Sequence, residues 1–77
     1  MNKLGFKGLL RQLGAELRAL RLKAGLSQEA LALEAGVNRT YVSQLERGVA
    51  NPSLMILHRI SMVLGRELKI VFHEKSS

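Results

Sequence analysis

The sequence predicts an all-α domain of four to five short helices, followed by a C-terminal β-strand set apart from them. Three observations carry that reading. Apolar residues recur at three- and four-residue steps, as in Leu10, Leu13, Leu17 and Leu20. Glycines, at positions 25, 36, 48 and 65, fall where such runs stop. The 77 residues are 47% hydrophobic yet contain only Phe6, Tyr41 and Phe72 as aromatics. The core must therefore be built from Leu, Val, Ile and Ala, and a composition so rich in Leu and Ala favours helices.

Residues 1–8 are polar and punctuated by glycine, which reads as a mobile arm or a frayed first turn. From Leu9 the pattern becomes helical: Leu10, Leu13, Leu17, Leu20 and Ala24 form one stripe, and Gly25 ends it. Ser27 is placed to cap a second helix over residues 28–34, with Leu31, Ala32 and Ala35 facing inward. Gly36 marks a sharp turn with positive φ, and Val37 is expected to plug the gap beside it. Asn38 caps a third helix over residues 39–47, closed by Gly48. Asn51-Pro52-Ser53 reads as a turn and a further cap. The fourth helix, over residues 54–64, has Leu54, Leu57, Ile60, Ser61 and Leu64 on one face and stops at Gly65.

The tail, residues 66–77, breaks this rhythm. Leu68, Ile70 and Phe72 alternate with Lys69, Val71 and His73, the period of a β-strand. One strand cannot satisfy its own backbone, and no second strand is visible in the chain. The simplest partner is the same segment of a second copy, paired across a two-fold axis, with Leu68, Ile70, Val71 and Phe72 at the contact. The same run also fits a short fifth helix or a turn that caps the core. The expected organisation is thus an arm over residues 1–8, a helical domain over 9–65 and a dimerising tail over 66–77.

Charge narrows the function. Twelve Lys and Arg against six Asp and Glu give a net charge of +6, which favours polyanionic partners, nucleic acid first among them. No stretch approaches the roughly 20 apolar residues of a membrane span, so no membrane partner is expected. The N-terminal residues lack the long apolar core of a signal peptide, so a cytoplasmic location is expected. The absence of cysteine excludes disulfides and cysteine-based zinc sites. His58 and His73 are isolated, so neither a metal nor a cofactor is expected. Ser27, Ser43 and Ser53 have no accompanying base, which argues against an enzyme. Arg11, Arg18 and Arg66 read as solvated charges. The leucine stripe of the first helix spans barely two heptads and contains Gly14, which suits core packing better than a coiled coil.

The segment over residues 28–47 carries the function. Its spacing is that of two helices joined by a tight turn, with Ala32 permitting close approach, Gly36 the turn, and Val42 and Leu45 the core anchors. Those anchors fix the rotation of the third helix and leave Arg39, Thr40, Ser43, Gln44 and Arg47 facing outward. That outer set is almost free of apolar side chains and suits hydrogen bonding in a major groove about 12 Å wide.

The run from Gly25 to Leu54 resembles the lambda-repressor/Cro-like family of helix-turn-helix proteins, the XRE-type regulators. The resemblance rests on Leu26-Ser27-Gln28, Leu31-Ala32, Ala35-Gly36-Val37, Val42-Ser43, Leu45-Glu46-Arg47-Gly48 and Asn51-Pro52-Ser53-Leu54 in combination. It implies a DNA-binding transcriptional regulator, expected to repress, acting as a homodimer with the helix over 39–47 in the major groove of double-stranded DNA. Under it, Arg39, Thr40, Ser43 and Gln44 meet base edges or nearby phosphates, with Arg39 suited to guanine and Gln44 to adenine. Gln28 touches a phosphate and braces the recognition helix. Tyr41 packs on the DNA backbone or shields the helix. Arg47, Asn51 and Ser53 lie near phosphates, and the capping residues Ser27 and Asn38 complete the set. The resemblance also implies an ion pair between Glu46 and Arg21. Narrower likenesses stay open. The ELKIVF tail resembles HipB-like antitoxins, which bind a toxin protein; the run from Asn38 to Ser43 resembles restriction–modification controller proteins; a plain phage- or plasmid-type repressor is the third. A protein-interaction module without DNA binding is the competing class.

Overall fold

The computed structural model describes residues 5–75 as four helices: α1 (Gly5–Lys23), α2 (Gln28–Ala35), α3 (Arg39–Glu46) and α4 (Leu54–Val63). α3 packs against both α1 and α2, and α4 packs against α2. The core where they meet consists of Leu17, Leu31, Ala32, Ala35, Val42, Leu45, Ala50 and Ile60, with Val37, Tyr41 and Leu57 packed around it. Its buried centre holds no aromatic ring, so burial rests on close packing of small and branched side chains.

Each element begins and ends through local chemistry. Oγ of Ser27 accepts from the Ala30 N–H at 3.0 Å, Oδ1 of Asn38 from the Tyr41 N–H at 2.7 Å, and Oγ of Ser53 from the Ile56 N–H at 3.1 Å. Each satisfies an amide that the first helical turn leaves without a partner. All four C-termini close alike. The N–H of the residue after the glycine returns to a carbonyl five positions back, as in Leu26 to Arg21, Val37 to Ala32, Val49 to Gln44 and Arg66 to Ser61. Gly36 and Gly48 both take φ +75°, the left-handed conformation this closure requires.

Two sequence expectations need correction. α1 begins at Gly5, so Gly5–Gly8 are helical and not part of an arm; residues 1–4 lie outside the described residues. Glycine weakens a helix by about 1 kcal/mol relative to Ala, which hid this turn in the sequence, but Gly8 is buried in the fold and packing outweighs propensity. Leu54 and Ala24, both assigned to inward stripes, are exposed, because each sits at the end of its helix beyond the core. The tail forms no strand among the described residues. Within a single chain its backbone has no neighbouring strand to pair with.

The backbones of two elements come close at a glycine inside the leucine-rich first helix. Gly14 is buried at the crossing of α1 and α3. A Cβ there would fall on the carbonyl oxygens of Leu45 and Glu46. Likewise a Cβ on Gly48 would stand 2.8 Å from Cα of Arg11. α1 thus meets the C-terminal end of α3 backbone to backbone. Gly14→Ala is expected to lower stability by about 3 kcal/mol, the upper end of the usual cost of overpacking, because main chain and not a flexible side chain must move. Urea denaturation of the variant beside the parent measures this; a decrease under about 0.5 kcal/mol would show that the crossing is not close.

Candidate nucleic-acid interface

α3 is held from three sides. Val42 and Leu45 are buried at 1% and 3% exposure and set its rotation about its own axis. Gly14 sets its distance from α1. At its C-terminal end, Glu46 fixes it electrostatically. Nε of Arg21 donates to Oε2 of Glu46 at 2.6 Å and a terminal guanidinium nitrogen donates to Oε1 at 3.0 Å, a two-pronged pair. Arg21 also donates to the Leu26 carbonyl at 2.8 Å, and Nε2 of Gln28 donates to Oε1 of Glu46 at 3.1 Å. The Glu46 carboxylate therefore joins α1 and the first residue of α2 to the end of α3, and Arg21 ties in the α1–α2 loop.

The pair is well removed from water, with the Arg21 and Glu46 side chains 8% and 3% exposed. Burial alone would push the Glu46 carboxyl up. The hydrogen bonds from Arg21 and Gln28, with the positive fields of Arg21 and Arg18, outweigh it and hold the carboxyl below its ordinary value. The bond to Glu46 in turn raises Arg21.

With α3 fixed in this way, its outer face carries Arg39 and Thr40, exposed, and Ser43 and Gln44, half-buried. Arg47 follows as an exposed C-cap, and Asn51 is exposed in the loop before α4. Residues 39, 40, 43, 44 and 47 fall within a sector of about 140° around the axis of α3. Three expected site residues have structural duties there, since Ser27, Asn38 and Ser53 spend a side-chain oxygen on their caps. Their helix N-termini still present free amides, the usual complement of a phosphate. Gln28 is half-buried and committed to Glu46 through its amide nitrogen. Tyr41 is half-buried against the core and lines a shallow depression with Val37 and Ile56. Among the described residues, no group of three or more metal-ligating side chains is assembled, and no helix is long and apolar enough to cross a membrane.

The tail residues lie beside α1 and α4. Leu68 is half-buried against α4, whereas Ile70, Val71 and Phe72 are 60%, 63% and 94% exposed. An apolar groove opens between α1, α4 and the tail, with Leu13, Leu17, Leu57 and Leu64 along it and Ile70 at its rim. Sequence reasoning missed Gly14 and Gly48 as determinants of the site. The available signal was a glycine in a leucine-rich helix, where Ala would be preferred unless a backbone had to come close.

The lowered pKa of Glu46 gives stability a defined acid limb. The pair contributes fully above the ordinary glutamate pKa, about 4.3, and its contribution is lost as pH falls through the lower folded value. Glu46→Gln should flatten that limb in thermal melts. Arg21→Ala, which strands a buried carboxylate, should cost about 3–5 kcal/mol at neutral pH. Equal melting temperatures for the Arg21→Ala variant and the parent would contradict this.

Comparison with known proteins places this geometry. A family model described as helix-turn-helix matches residues 17–71. The control protein C.BamHI of Bacillus amyloliquefaciens is 46% identical over 57 residues, which span 73% of this chain and 70% of that protein. Among solved structures, the restriction-modification controller protein C.AhdI from Aeromonas hydrophila superposes with a TM-score of 0.80 at 40% identity, covering 82% of this chain and 91% of its own. The clp gene regulator ClgR from C. glutamicum superposes with a TM-score of 0.76 at 35% identity, covering 78% and 77%.

Proposed function

Because the chain belongs to the XRE-type helix-turn-helix family of DNA-binding transcriptional regulators, we propose that it reads a specific operator as a homodimer, with the outer face of α3 in the major groove. The single observation that carries this is the division of α3 into two sides. Val42, Leu45 and Glu46 are spent on holding the helix, while Arg39, Thr40, Ser43 and Gln44 make no hydrogen bond to another side chain among the described residues. Side chains left free on a rigid helix suit base edges: Arg39 to guanine, Gln44 to adenine. Arg47, Asn51 and the amides at the capped starts of α2 and α4 serve phosphates and set register.

Dimerisation through the tail is part of the proposal. An exposed Ile70-Val71-Phe72 run, with the apolar groove beside it, is costly to leave in water and is satisfied by pairing with a second copy. Two copies would then present recognition helices to half-sites about one helical turn apart. The identity to two controller proteins favours a role as controller of a restriction–modification operon over the other subclasses.

Two experiments test this reading. In an electrophoretic titration against the DNA upstream of its own gene, Arg39→Ala with Gln44→Ala should weaken operator affinity by about 1–3 kcal/mol per base-edge interaction while retaining affinity for random duplex. Parent protein that binds operator and random duplex equally would refute sequence-specific reading. Separately, Phe72→Asp should shift the free protein toward monomer in analytical ultracentrifugation, with the helical signal retained; an unaltered dimer would exclude the tail as its interface.

A further inference from the structure

The sequence assigns Arg11 and Arg18 to solvated faces, but the fold places them on one ridge beside the recognition helix. At about 100° per residue, positions 7, 11, 14, 18 and 21 of α1 fall within a sector of about 80°. They are Lys7, Arg11, Gly14, Arg18 and Arg21. This sector is the one turned toward the end of α3. Gly14 abuts the Leu45 and Glu46 carbonyls, the main chain of Arg11 lies against Gly48, Arg18 contributes to the field at Glu46, and Arg21 binds that carboxylate. Only Arg21 of the four cations is ion-paired among the described residues; Lys7, Arg11 and Arg18 are exposed.

We propose that Lys7, Arg11 and Arg18, continued by Arg47 across the Arg11–Gly48 approach, form a second DNA-binding element: a ridge that follows the phosphate backbone flanking the groove occupied by α3. This rests on the DNA-binding reading above and extends it to residues outside the helix-turn-helix. Three features carry it. Lys7, Arg11 and Arg18 form no ion pair among the described residues. They stand about 6 Å and about 10 Å apart along the axis of α1, and long flexible side chains on that spacing can each reach a different phosphate of one strand. The backbone approaches at Gly14 and Gly48 fix the ridge rigidly relative to α3, so both elements can meet one duplex together. Interactions of this kind bind without reading sequence, because phosphates are the same at every base pair.

The test is the salt dependence of DNA binding. Removing one cation that engages a phosphate should reduce the magnitude of the slope of log K against log salt by about 0.9. The triple variant Lys7→Gln, Arg11→Gln, Arg18→Gln is compared with Lys23→Gln, Arg59→Gln, Arg66→Gln, which removes the same charge from positions off the ridge. Circular dichroism checks that both fold. The slope of the ridge variant should be shallower than that of the control by about two to three units on operator and random duplex alike, with the ratio of the two affinities preserved. Equal slopes for the two variants would overturn the proposal, as would a changed ratio with an unchanged slope. Failure of sequence-specific reading appears separately, as a parent protein that does not prefer its operator.

Discussion

The carboxylate of Glu46 is the point on which the arrangement of helices depends. It lies on the last turn of the recognition helix and receives bonds from α1 and from the first residue of α2, while its Arg21 partner also secures the intervening loop. A buried pair of this kind adds little net stability compared with apolar residues of the same volume, because desolvation consumes most of the attraction. Its value lies in geometry. A hydrophobic contact tolerates sliding and rotation, whereas a two-pronged guanidinium–carboxylate bond fixes distance, plane and direction together. Placing that bond at one end of α3, and Val42 and Leu45 along its inner side, leaves the helix one orientation.

The backbone approach at Gly14 complements this bond. Electrostatics holds the end of α3 in direction, and the missing side chain sets how near it can come. Neither suffices alone. Without the close approach, Arg21 would have to span a longer gap; without the bond, two bare backbones would have only dispersion to keep them together. A small domain of this kind has a thin core, so a few such fixed points determine whether it has one native arrangement or several.

Much of this was legible in the sequence because the signals are local. Ser27, Asn38 and Ser53 announce helix starts and the glycines announce helix ends, and each acts within a few residues of itself, so α2, α3 and α4 appear close to their true bounds and α1 at its C-terminal end. Ala32, Val42 and Leu45 were legible as the frame of the motif because helical periodicity turns them inward, and Gly36 because a sharp turn needs positive φ. What escaped depends on tertiary packing. Gly14 reads as a helix weakness until the neighbour that requires its lack of a side chain is known. Leu54 matched the inward stripe of α4, yet the core ends before reaching it. Arg11 and Arg18 are exposed, as their spacing indicates, but nothing in that spacing reveals which element lies alongside. The tail's alternation was visible, but a strand needs a partner for its backbone, and a single chain does not supply one.

The separation of roles along α3 bears on how such a protein can change over time. The side chains that hold the helix face inward or lie at its end, and those on its outer face serve neither core nor cap. Arg39, Thr40, Ser43 and Gln44 can therefore be exchanged while the helix stays where Gly14, Val42, Leu45 and Glu46 put it. A lineage built on this scaffold could acquire new binding preferences by substitution at a handful of positions without first passing through an unstable intermediate.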